Sequence, residues 1–262
     1  MPLFHANPSQ GAAWITGASG GLGAALATEL AGEGYTVYIS ARSADTLDAM
    51  ASDYKGPGRL VALPLDVTDR EACASAVERI VSESGNLALA VFNAGTFYPI
   101  RGFKLDHGVF DKTMGINFFG VTNCLIPTVN CMNEAGKGQI VVVSSSASYG
   151  GLPKSAAYGA SKAALVNMAS SLKFDLDPLN IRVQVCTPGF VDTPLTEKND
   201  FPMPFLMPVE KAAKAFAAGI RGNGFDITFP KRFTWMLKAL NLLPYWLYFP
   251  LVARSTGASK KR

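Results

Sequence analysis

Short apolar runs alternate with helix-like segments almost from the first residue, and few folds accommodate that order. Strand candidates fall at 12–15, 36–40, 60–65, 87–92, 139–144, 181–186 and 225–229. Amphipathic helices are predicted between them at 22–33, 44–53, 70–84, 110–135, 156–176 and 209–221. Strands that alternate with helices require crossover connections, and crossovers produce a parallel sheet covered on both faces. Because such crossovers are right-handed, the expected architecture is α/β: a doubly wound parallel sheet of about seven strands with helices on both faces. No internal repeat, linker or composition break interrupts the chain before residue 230, so residues 1–230 read as one domain of ordinary size. Residues 231–262 read as an aromatic and basic C-terminal extension of it.

The first strand leads into the first helix through WITGASGGLGAALATEL, with glycines at 17, 20, 21 and 23. Amides at a helix start bind a pyrophosphate, and missing Cβ atoms let phosphate and backbone meet. A nucleotide site is expected here because the motif sits after a strand and opens a helix. The second strand ends VYISARSAD, with Ala41 where an NAD site would offer a carboxylate to the ribose. Arg42 and Ser43 follow, and a guanidinium beside a hydroxyl suits a 2′-phosphate, so NADP is favoured over NAD.

Tyr158 and Lys162 are four residues apart and share a face of their helix. A free phenol titrates near pH 10, and a neighbouring cation is expected to lower that value. Ser145, just after an apolar run, completes a set able to hold a carbonyl or alcohol oxygen and move its proton.

Charge narrows the partners further. The last 32 residues carry seven Lys or Arg and no Asp or Glu, whereas residues 1–230 carry 17 basic against 20 acidic side chains, a net −3. Nucleic-acid binding by the main body is therefore not expected. Cys73, Cys124, Cys131 and Cys186 lack metal-ligand spacing and read as buried thiols in a reducing compartment. His5 and His107 lie far apart, so no metal site is predicted. The first residues, MPLFHANPSQGAAW, have neither a basic n-region nor a long apolar h-region, so they are not read as a secretory signal. A cytoplasmic protein is expected.

The motifs TGASGGLG (16–23), DVTD (66–69), NAG (93–95), Asn117 in MGINFFG, Ser145, YGASK (158–162) and PGFVDT (188–193) resemble, in order, those of the short-chain dehydrogenase/reductase family in its single-domain, Rossmann-like form. The resemblance covers about residues 10–230. It implies an NAD(P)-dependent oxidoreductase that transfers a hydride between nicotinamide and a carbonyl or alcohol, working as a homodimer or homotetramer. Gly17, Ser19, Gly21, Leu22 and Gly23 are implied at the pyrophosphate, Asp66 and Val67 beside adenine, and Asn93, Ala94 and Gly95 along the ribose. Phe92 stands where the family often has another asparagine. Tyr158 is implied as acid/base and Ser145 as polariser of the carbonyl. Lys162 is implied to depress the tyrosine and bind the nicotinamide ribose, and Asn117 to hold a water joining the lysine to solvent. Pro188, Gly189, Val191 and Thr193 are implied around the nicotinamide.

Phe97, Tyr98, Tyr149 and Leu152, with Phe201, Met203, Phe205, Leu206 and Met207 after PGFVDT, are candidates for an apolar pocket and its lid. A small lipophilic ketone or aldehyde is the expected substrate. The segment from 233 to 252 places Trp235, Tyr245, Trp246, Tyr248 and Phe249 among cations, while Pro244, Pro250, Lys238 and Asn241 disfavour a spanning helix. Peripheral attachment to a membrane surface is the preferred reading, with packing over a pocket or subunit interface beside it. A non-catalytic nucleotide sensor or scaffold is the alternative from another class, and the presence of both Tyr158 and Lys162 speaks against it.

Overall fold

Tryptophan and isoleucine at 14 and 15 show how the sheet is buried. Adjacent strand residues point to opposite faces, and both side chains are fully buried, each in a different core. A computed structural model describes residues 3–197 and 203–258. In it β1 (Ala12–Thr16), β2 (Thr36–Ser40), β3 (Arg59–Ala62), β4 (Leu87–Phe92), β5 (Gly138–Val143), β6 (Ile181–Cys186) and β7 (Asp226–Ile227) form one sheet. Their order is β3-β2-β1-β4-β5-β6-β7, and every pairing is parallel. The sheet and its surrounding helices agree with the architecture expected from the alternation.

Helices α1 (Gly21–Gly32), α2 (Ala44–Asp53), α3 (Arg70–Ser84), α4 (His107–Met114), α5 (Gly120–Glu134), α6 (Ala156–Leu176) and α7 (Val209–Arg221) cover the sheet and its edges. Trp14, Tyr38, Phe92, Ile140 and Val142 pack with residues of α3, α5 and α6 on one face. Ile15, Val37, Ile39 and Val141 pack with residues of α1 and α7 on the other. Trp14 donates its indole N–H to Ser40 Oγ at 2.9 Å, so this large core side chain leaves no unpaired donor. Asp69 caps α3 by accepting the Ala72 N–H at 3.0 Å.

Three boundaries differ from expectation. The helix predicted at 110–135 is divided into α4 and α5 by a π-helical segment, Gly115–Phe119. Its real start lies earlier, where Asp106 accepts the Val109 N–H at 3.0 Å. The third strand ends at Ala62 rather than 65. The final ladder is shortened to Asp226–Ile227, although extended pairing continues as Thr187 N donates to Ile227 O and Gly189 N to Phe229 O, both at 2.8 Å.

The C-terminal segment forms two further helices, α8 (Lys231–Asn241) and α9 (Tyr245–Ser255). The Phe233 ring lies against Gly189 and beside Phe190, with ring centroids 5.2 Å apart. Tyr248 is buried and donates its hydroxyl to Gly151 O at 2.9 Å, and Lys238 pairs with Asp226. Cys73, Cys124 and Cys186 are buried and Cys131 is half-buried.

Candidate functional site

Strand order reverses between β1 and β4, and the crevice at the strand carboxyl ends beside such a reversal is where open α/β sheets bind ligands. A cleft of about 1670 Å³ opens there.

At its first wall β1 turns into α1. Gly17 has φ +68°, and a Cβ there would stand 2.7 Å from Ala94 Cα. A Cβ on Gly23 would stand 2.4 Å from Gly17 O and 2.5 Å from Asn93 Nδ2. The turn thus closes only around glycine. Asn93 ties it to β4 by donating Nδ2 to Thr16 O at 3.1 Å and Gly17 O at 2.9 Å. Thr16 Oγ1 accepts the amides of Asn93 and Ala94, each at 3.1 Å. Gly23→Ala is expected to lower folding stability by about 1–3 kcal/mol, seen as a lower urea midpoint with an unchanged slope.

The sequence-predicted residues converge on this cleft. Gly17, Ser19, Gly21, Leu22 and Gly23 line it with Arg42, Ser43, Asp66, Val67, Asn93, Ala94 and Gly95. So do Ser145, Tyr158, Lys162, Pro188, Gly189, Val191 and Thr193. Asn117 is the exception: it is fully buried behind the wall, inside the π-helical segment. π-turns occur often at functional positions. Here the turn aims the Asn117 amide at the backbone after β4, where Oδ1 accepts Thr96 N at 2.7 Å and Nδ2 donates to Thr96 O at 3.0 Å. Nδ2 also reaches Ser161 Oγ at 3.0 Å, beside Lys162 on α6. Asn117 thus ties the backbone at Thr96 to the helix carrying Tyr158 and Lys162.

Ser145 follows β5 and keeps its side chain half-exposed to the cleft. Its hydroxyl oxygen accepts the Ala147 N–H at 3.1 Å and lies near enough to the Tyr158 phenol to influence it. Ser144 is instead buried, donating to Lys162 O at 2.7 Å, and Ser146 is buried too. Of the three serines, Ser145 is the one set beside the phenol. Phe97 meets the Tyr158 ring edge to face at 5.1 Å and fixes its plane.

Lys162 is 4% exposed, and its ammonium donates to Val143 O at 2.9 Å. Burial pushes its pKa down to about 8. The ammonium lies 5.8 Å from the Tyr158 ring centroid. The expected depression of Tyr158 by this cation is not found: burial raises the phenol, and the opposing influence comes from the neighbouring Ser145 hydroxyl. A buried lysine that sheds its own proton more readily is a weak source of positive potential for its neighbour.

At the adenosine end, Asp66 accepts Thr68 N at 2.9 Å and Thr68 Oγ1 at 2.8 Å. Those bonds, with a smaller contribution from Arg42, hold its carboxyl below the usual range. Arg42 is exposed at the rim, and Ser43 stands at the N-cap of α2 with no side-chain cap bond.

The substrate end differs most from expectation. Phe97, Tyr98 and Leu152 line the cleft, and Phe201 lies outside the described residues. Tyr149 turns away, its hydroxyl donating to Thr187 Oγ1 at 2.6 Å. Met203, Phe205, Leu206 and Met207 are not among the lining residues; Pro204 is. The apolar wall comes instead from the tail, through Phe233, Leu237, Leu240, Leu243 and Val252. Among the described residues no group of three or more His, Cys, Asp or Glu could hold a metal ion. Thr16 and Ser161 went unremarked in the sequence, although each lies inside a recognised motif.

The family model described as short chain dehydrogenase matches residues 11–202. An uncharacterized oxidoreductase of Myxococcus xanthus is 35% identical over 240 residues, covering 90% of this chain and 94% of that protein. The 3-oxoacyl-[acyl-carrier-protein] reductase FabG of Thermotoga maritima is 35% identical over 185 residues, covering 70% of this chain and 75% of its own length. A crystal structure of a short chain dehydrogenase from Burkholderia cenocepacia in complex with NADP superposes with a TM-score of 0.77 at 27% identity, covering 88% and 92% of the two chains. From the parallel sheet, the glycine turn at its switch point and these matches, the chain belongs to the short-chain dehydrogenase/reductase family of oxidoreductases.

Proposed function

We propose that the protein is an NADP-dependent oxidoreductase that interconverts a lipophilic carbonyl compound and its alcohol, with Tyr158 as acid/base. The observation that carries this reading is the convergence of Ser145, Tyr158 and Lys162 on one wall of a cleft whose other end is the glycine turn. Bound nicotinamide supplies the hydride. The chain's own groups do the rest. Ser145 holds the substrate oxygen, and Tyr158 gives it a proton during reduction. Lys162 holds the nicotinamide ribose, while Asn117 keeps the two walls in register.

Arg42, the uncommitted Ser43 hydroxyl and the absence of an acid at Ala41 support NADP, as does the NADP in the Burkholderia cenocepacia relative. Asp66, Val67, Pro188, Gly189, Val191 and Thr193 would line the nucleotide's path. Arg42→Ala is expected to weaken NADPH by about tenfold to a hundredfold, the worth of a charge-assisted bond, with little change for NADH. Parallel fluorescence titrations check this; equal losses for both nucleotides would remove Arg42 from the phosphate site.

The apolar wall from α8 and α9 supports a lipophilic substrate, and the 3-oxoacyl substrate named for the Thermotoga maritima relative is of compatible type. Residues 1–230 and the tail act as one unit in this reading, since tail residues complete the cleft. Exposed Ile126 on α5 and Phe174 on α6 offer apolar surface to a second copy, in keeping with a homodimer or homotetramer. Four free thiols suit a reducing compartment such as the cytoplasm. The test is NADPH oxidation against a panel of ketones, sterols and acyl aldehydes, where turnover of none of them would sink the proposal.

A further inference from the structure

Helices α8 and α9 carry an inner and an outer set of apolar side chains. The inner one lines the cleft through Leu237, Leu240 and Val252. The outer one leaves Trp235, Leu242, Tyr245, Trp246 and Phe249 between 58% and 85% exposed. Together with Met236 and Leu251, these are seven of the sixteen large hydrophobic side chains exposed among the described residues, gathered between positions 235 and 251. Exposed apolar groups scattered singly are ordinary, but a cluster of this kind marks a contact surface. Tyr245 and Phe249 stack one helical turn apart at 5.5 Å.

We propose that this outer face docks on an anionic phospholipid surface and that the cleft opens onto the bilayer. The proposal rests on the reading of the cleft as the site for a lipophilic substrate, and it names where that substrate comes from. Charge selects the occupant. Residues 231–262 carry seven cations and no acid, against a net −3 for residues 1–230. Lys231, Arg232 and Arg254 are exposed on the same two helices. An anionic surface would therefore attract the tail and turn the acidic body away. Tryptophan and tyrosine beside cations suit the headgroup layer. Each helix has 11 residues, far short of a span, and among the described residues none is long and apolar enough to cross a membrane. Both helices would lie in the interfacial plane.

Met236 and Leu251 join the two faces. Each is exposed at 42% or more, and each also lines the cleft. They form an apolar rim through which a lipid-dissolved carbonyl compound passes from the acyl layer towards Ser145 and Tyr158 without crossing water.

Flotation of the full-length protein with phosphatidylcholine vesicles, with or without phosphatidylglycerol, tests the proposal without needing a turnover substrate. The wild type is expected to float with the anionic vesicles and to be released by salt. The double variant Trp246→Ser/Phe249→Ser, outside the cleft, is expected to lose binding by about tenfold or more, and Arg232→Glu/Arg254→Glu to lose it selectively on anionic vesicles. NADPH titration of each variant serves as the folding control. A wild type that stays in solution, or variants that float like it, would overturn the proposal. So would a double variant that breaks an oligomer apart, which would make this face a subunit interface. None of these results bears on the hydride reaction, which is tested separately.

Discussion

Tyr158→Phe is expected to lower turnover by about a thousandfold, the usual scale for removing a positioned general acid. The variant should leave NADPH affinity and thermal stability within a narrow margin of wild type. Its ring can keep the edge-to-face packing on Phe97 at 5.1 Å, and Tyr158 belongs to the cleft lining. Steady-state rates with a substrate from the panel, measured beside a nucleotide titration, separate the two effects. Loss of rate together with loss of nucleotide binding would indicate a structural role instead.

Lys162→Met is expected to do two opposite things. Turnover should fall by about a hundredfold or more, because the ribose and proton path lose their cation. Folding stability of the nucleotide-free protein should rise near pH 7. Burial has moved the Lys162 pKa from 10.5 to about 8, so the folded state disfavours its charged form. That corresponds to a penalty on the order of 3 kcal/mol. Loss of the bond to Val143 O offsets about 1 kcal/mol of the gain. Between about pH 8 and 10.5 the unfolded wild type binds more protons at this site than the folded one, so the wild type gains stability as pH rises through that window. The advantage of the methionine variant should therefore shrink from pH 8 upwards. Chemical unfolding of both proteins across that range checks the sign; a gap that widens with pH would contradict it. A site residue that destabilises the fold it occupies is an expected cost of function.

What the sequence made legible is what local pattern dictates. The period of apolar residues located seven strands because each buried strand is a short run bounded by turns. The glycine turn, Asn93 to Gly95 and the Ser145, Tyr158 and Lys162 set were readable because their spacing follows from one turn or one helix face. The π-helical segment was hidden: one extra residue per turn leaves amphipathicity almost intact, and only an asparagine between Gly115 and Gly120 hinted at it. The direction of the Tyr158 shift was also hidden, because it depends on how deeply the phenol itself is buried, which no spacing reveals. The individual residues of the substrate wall were hidden as well. Leu237, Leu240 and Val252 reach the cleft through a contact between sequence-distant elements, Phe233 against Gly189, Lys238 against Asp226 and Tyr248 against Gly151. From sequence alone, packing over the pocket and presenting an apolar outer face read as rival fates for the tail. Two-sided helices make them compatible.

The central claim is hydride transfer from the nucleotide to a carbonyl carbon with Tyr158 delivering the proton. It is tested most directly by turning over a ketone substrate with NADPH deuterated at the transferable C4 position. The predicted product carries the deuterium on its carbinol carbon, formed in step with NADPH consumption and almost absent with Tyr158→Phe. An alcohol without the label, or one formed equally well by Tyr158→Phe, would contradict it.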